Sequence, residues 1–139
     1  MGGYGAIKAG LLRPDLYRAA ASLSGVLSLS LLDLDPDDRR KEEFALLFGP
    51  LEKLPGCMHD PAVWLKEGAR NPAALPKLII ACSRQDDLYP LSLMFRDGCR
   101  DLGIDCIYHE SEGAHEWLYW NNAIQLVLED MFGPIPEGF

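Results

Sequence analysis

The stretch that most constrains this chain is Lys77-Leu78-Ile79-Ile80-Ala81-Cys82-Ser83. Its centre is continuously apolar, and Pro76 bounds it on the N-terminal side. A strand with one wet face alternates polar and apolar residues. A run without alternation fits a strand covered on both faces, as in a parallel sheet lying between helices. Such a strand needs neighbours along its edges and helices above and below, and the rest of the chain has to supply them.

Candidates for both are present. Ala19-Ala20-Ala21-Ser22-Leu23-Ser24-Gly25, within Leu16–Gly25, reads as a second short buried strand closed by Ser-Gly. Asp105–Glu110 reads as a third. Gly2–Leu12 is an expected helix whose small residues allow close packing on a sheet, and Pro14 should end it. Tyr89–Leu102 is another, with Gly103 at its C-terminal cap. Glu116–Phe132 is the last, with Trp117, Trp120, Ile124, Val127 and Met131 spaced as one apolar stripe and Gly133-Pro134 as the stop. Strands alternating with helices give the α/β class.

Between these elements, residues 26–75 read as a helical excursion. Asp35-Pro36-Asp37-Asp38 is one helix start, running to about Phe48 before Gly49-Pro50. Asp60-Pro61 is a second, ending near Gly68. Arg39-Arg40-Lys41-Glu42-Glu43 reads as a solvated helix face. Whether the excursion caps a site or only covers the sheet is open from its pattern.

Composition narrows the function classes. A net charge of -8 and a pI near 4.7 argue against nucleic-acid binding, which needs clustered Lys and Arg. Apolar runs such as Val26–Leu32 fall far short of the ~20 residues of a membrane span. Cys57, Cys82, Cys99 and Cys106 show no Cys-x-x-Cys spacing, and His59, His109 and His115 no zinc pattern, so free structural cysteines, no metal and no cofactor are expected. A cytoplasmic location follows from that reading.

Two segments carry chemistry. Ser83-Arg84-Gln85-Asp86-Asp87-Leu88-Tyr89 comes after the end of a strand, where open α/β sheets place their ligands. A carboxylate there can orient a histidine, and spacing leaves Asp86 and Asp87 equally eligible. Glu112-Gly113-Ala114-His115-Glu116-Trp117 comes after the next strand. Acid then histidine, each after a successive strand, is the order found in α/β serine hydrolases. His109, inside a strand-like run, has no such support.

Met1-Gly2-Gly3-Tyr4-Gly5-Ala6 completes the set. It resembles the segment on the C-terminal side of the serine in the Gly-x-Ser-Met-Gly-Gly turn of esterase D and tributyrin esterases. With the Ser-Gly strand end, the Asp-x-Leu-Tyr segment and the Gly-x-His-x-Trp segment, the resemblance runs over nearly the whole chain. It implies the C-terminal half of an α/β-hydrolase fold, residues 1–139 forming one partial domain of about three parallel strands flanked by helices. It selects Asp86 as the acid, with Asp87 in place of an aromatic, and His115 as the general base. Ala114 and Glu116 are mild departures. The implied activity is hydrolysis of short acyl esters of the tributyrin, S-formylglutathione, acetyl or feruloyl kind. The serine would lie just upstream of Met1, whose backbone N–H would then be an oxyanion donor. This chain alone is therefore expected to be inactive. A homo-oligomer, or pairing with a missing N-terminal half, is expected from the open sheet edge. The alternative is a catalytically inactive remnant serving as an assembly module.

Overall fold

The computed structural model describes residues 1–29 and 40–134. Helix α1 (Gly2–Leu12) leads into strand β1 (Ala19–Leu23). Helices α2 (Arg40–Phe48) and α3 (Pro61–Gly68) come next, then β2 (Lys77–Ser83), α4 (Tyr89–Asp101), β3 (Cys106–Ser111) and α5 (Trp117–Phe132). The three strands form one parallel sheet with β2 in the centre. Ala19 stands opposite Lys77, and Leu78 opposite Cys106.

The central position of β2 explains its sequence. Leu78 and Ile80 face a core built with Ile7 and Leu11 of α1, Trp64 and Leu65 of α3, and Phe95 of α4. Ile79 and Ala81 face the other way, onto Tyr119, Ala123 and Val127 of α5. Both faces are dry along Leu78–Ala81, so neither parity of that stretch carries a polar side chain.

The helices begin and end where local chemistry requires. Asp60 caps α3: its Oδ1 accepts from the N–H of Ala62 at 3.0 Å, and Pro61 takes the first helical position. Asp60 Oδ2 also accepts from the N–H of Gly56 at 2.7 Å. After α4 the chain turns at Gly103 (φ +69°), and after α5 at Gly133 (φ +88°). On α1 the small residues serve close approach. A Cβ on Gly10 would come within 2.6 Å of Ala20, and one on Gly3 within 2.2 Å of the Ser22 hydroxyl.

Two expectations need comment. The helix start at Asp35-Pro36 lies outside the described residues; α2 is described from Arg40 and ends at Phe48. The apolar stripe of α5 is rotated from the expected one. Trp117 is 82% exposed and Ile124 37%, whereas Tyr119, Ala123 and Val127 are buried and Trp120 and Met131 half-buried. The cause is the direction of the sheet: only one i, i+4 row can meet β1 and β2, and alanine and tyrosine fill it at short range.

Candidate active site

Because the sheet is parallel, β2 and β3 end on the same side, and the loops that leave them run together. Pairing continues past the last strand residues. The N–H of Arg84 donates to Ser111 O at 3.0 Å, and that of Gln85 to Gly113 O at 3.1 Å. Ser83 Oγ donates to Ala114 O at 2.9 Å.

Within this frame Asp86 and His115 meet. Asp86 Oδ2 lies 2.9 Å from His115 Nδ1. The other oxygen, Oδ1, accepts from the N–H of Leu88 at 2.9 Å, a short local turn that fixes the carboxylate's rotamer. The Asp86 side chain is fully buried, while that of His115 is 52% exposed. With Nδ1 facing a carboxylate, the assigned tautomer carries its proton there, and Nε2 is left as an acceptor. Spacing could not separate the two aspartates, but their environments do: Asp87 is exposed and Asp86 is not.

The imidazole also has an aromatic wall. The Trp120 ring meets it edge-to-face, with centroids 4.8 Å apart, and Trp117 meets Trp120 in the same manner at 5.2 Å. Trp120 is held in turn, its Nε1–H donating to Ser24 Oγ at 3.1 Å. Ser24 is buried, sits at φ +51°, and donates its N–H to Ala81 O at 2.8 Å. Gly25 next to it lies against Gly3 at the head of α1. A continuous line of contact thus runs from the start of α1, through the end of β1, to His115. The sequence marks Ser24-Gly25 as a strand end but gives Ser24 no role; its left-handed backbone leaves no mark in a periodicity pattern.

A charged cluster flanks the pair. Arg84 binds Glu110 at 2.9 Å and Glu112 at 3.1 Å, and the Tyr89 hydroxyl donates to Glu110 at 2.7 Å. The Tyr89 hydroxyl, and then Arg84, hold the Glu110 carboxyl below its usual range. His109 is engaged elsewhere, its Nε2 joined to Asp130 of α5 at 2.5 Å. Met1 is exposed at the head of α1, where its carbonyl accepts from the N–H of Gly5 at 3.0 Å. Among the described residues no hydrogen bond ties it to the Asp86–His115 pair. A cavity of about 260 Å³ lies between α3 and α4, lined by Leu65 and Phe95 among others, and neither Asp86 nor His115 borders it. Among the described residues no group of three His, Cys, Asp or Glu side chains is placed to hold a metal, and no helix is long and apolar enough to cross a membrane. All four cysteines are free.

No family model matches the sequence. An acetyl esterase of Caldicellulosiruptor saccharolyticus is 30% identical over 136 residues, covering 94% of this chain and 51% of that protein. An S-formylglutathione hydrolase of Staphylococcus aureus superposes with a TM-score of 0.79 at 35% identity, over 94% of this chain and 51% of that one. A fluorophosphonate-binding serine hydrolase of the same organism gives 0.79 at 32% identity, over 93% and 50%. The chain spans about half the length of the relatives it matches. Its three parallel strands and flanking helices are part of an α/β-hydrolase fold, and its resemblance in sequence and structure is to esterases of that fold.

Proposed function

From this kinship with α/β-hydrolase esterases, we propose that the chain supplies the acid and the base of a serine ester hydrolase. Asp86 orients His115 and stabilises the imidazolium. His115 Nε2 takes the proton of a serine carried by the rest of the enzyme and returns it to the leaving group. One observation carries the reading: a fully buried carboxylate 2.9 Å from the Nδ1 of a half-exposed histidine, on loops that leave adjacent strands on one side of the sheet. The other side of the ring is then open to a nucleophile and substrate.

The serine is assigned to the turn entering α1, before Gly2-Gly3, and the backbone N–H of Met1 to the oxyanion hole. The contact line from Gly3 to His115 supports that placement, since it sets the head of α1 near the pair. Acylation and hydrolysis then proceed in two steps, with the oxyanion held by backbone N–H groups. The substrates are small esters or thioesters with short acyl groups, as the names of the acetyl esterase and S-formylglutathione hydrolase suggest. Four free thiols are consistent with a reducing compartment, and we place the protein in the cytosol.

Hydrolysis of p-nitrophenyl acetate tests this reading. The chain alone should match its His115→Ala variant. A chimera joining the unmatched half of the acetyl esterase to this chain should turn over and lose that turnover on His115→Ala. Turnover by the chain alone, abolished by a serine-directed phosphonate, would instead point to a serine within it, such as Ser83.

A second reading has one observation in its favour. Among the described residues, strand β1 lies at the end of the sheet with no strand paired to its outer edge. An inactive assembly module that pairs this edge with another chain would use the same surface.

A further inference from the structure

We propose that Gln85 is a positioning residue, a two-ended clamp that holds the loop of the base against the loop of the acid; this rests on Asp86 and His115 being the catalytic pair. Gln85 immediately precedes Asp86 and contacts the loop of His115 at three points. Its backbone N–H donates to Gly113 O at 3.1 Å, and its side-chain Oε1 accepts from the N–H of Gly113 at 2.6 Å. Its Nε2 donates to the Glu112 carboxylate. One residue therefore satisfies both backbone groups of Gly113 and ties down the residue before it.

The place of the clamp gives it consequence. Gly113 has φ +134°, a conformation that L-residues avoid, and His115 comes two residues later, ahead of the first turn of α5. The turn at Gly113 brings the chain from β3 back over the end of β2, which is how His115 reaches Asp86. Asp86 is fixed independently by Leu88. The base has fewer restraints: its side chain is half-exposed, and its loop is held by Ser83 at Ala114 and by Gln85 at Gly113. A carboxamide suits the position because it must accept at one end and donate at the other. A glutamate could accept from Gly113 but would set a second carboxylate against Glu112.

The readout is the tautomer of neutral His115 in the 15N-labelled chain, taken from ring-nitrogen shifts, with strand amide signals monitoring the fold. The wild-type ring should be protonated at Nδ1. In Gln85→Glu the ratio of the Nδ1–H to the Nε2–H form should fall about fivefold, the net worth of one hydrogen bond. Glu112→Gln alone should leave the ratio unchanged. The double variant, Gln85→Glu with Glu112→Gln, exchanges donor and acceptor and should restore it. Asp86→Asn serves as the reference and should shift the ratio by itself. If Asp86→Asn shifts it and Gln85→Glu does not, the clamp is overturned while the pair stands. Failure of the double variant to restore the ratio would overturn the two-ended arrangement. An unchanged ratio in Asp86→Asn would remove the pair and the clamp together.

Discussion

Asp86 and His115 differ in how firmly they are held, and the difference matches the work assigned to each. The carboxylate is buried and bonded through both oxygens, so its direction is fixed before any substrate arrives. The histidine is bonded through Nδ1 and leaves about half of its side chain exposed. Gly113 sets the approach between them. A methyl group there would meet Tyr119 at 3.4 Å and would have to adopt φ +134°. Gly113→Ala is therefore expected to cost about 1–3 kcal/mol, measured as a shift in urea unfolding. An unchanged midpoint would mean that the turn relaxes freely. Much of this was legible in the residues: Gly-x-His after one strand and an aspartate after the one before it. Spacing left Asp86 and Asp87 equal, because burial depends on the neighbouring loop and not on local pattern, and only the family resemblance selected Asp86.

At the scale of elements, the strands and helix ends were the readable part. The continuous apolar run predicts a doubly covered strand over Lys77–Ser83, and β2 spans that range in the middle of the sheet. Asp60-Pro61 predicts a helix start, and the side chain caps α3. Asp60→Ala removes bonds to both Ala62 and Gly56 and should cost about 1–2 kcal/mol in unfolding experiments. A loss of only a few tenths would mean that water replaces the cap. The inward face of α5 keeps Trp120, Val127 and Met131 of the expected stripe but replaces Trp117 and Ile124 by Tyr119 and Ala123, the residues that meet the strands at short range. The observed face has a direct test. Tyr119→Ala, on the observed face only, should destabilise by about 3 kcal/mol, and Trp117→Ala, on the expected stripe only, by no more than about 0.5 kcal/mol. The reverse order would restore the stripe expected from spacing.

For the whole molecule, the sheet is the issue. Parallel strands are stable when both faces and both edges are covered; here helices cover the faces, while among the described residues no strand pairs with the outer side of β1 or of β3. The β1 edge, Ala19–Leu23, is apolar and contains no lysine or proline to discourage pairing. Trp117 and Leu118 add exposed apolar surface on α5. Studied alone at micromolar concentration, the chain is expected to self-associate, and sedimentation equilibrium should give a mass above 15.4 kDa. A monomer that unfolds cooperatively would show that the edge is already satisfied and would remove the support for the assembly reading.

The central claim, that Asp86 and His115 are the acid and base of an esterase, meets its most direct test in the chimera with the acetyl esterase. Asp86→Asn and Asp87→Asn would be compared there by kcat on p-nitrophenyl acetate. Asp86→Asn should lower kcat by about 10⁴-fold, because the histidine then holds the wrong tautomer. Asp87→Asn, at an exposed position, should leave kcat close to that of the parent chimera. Comparable rates for Asp86→Asn and the parent, or a collapse with Asp87→Asn alone, would contradict the assignment.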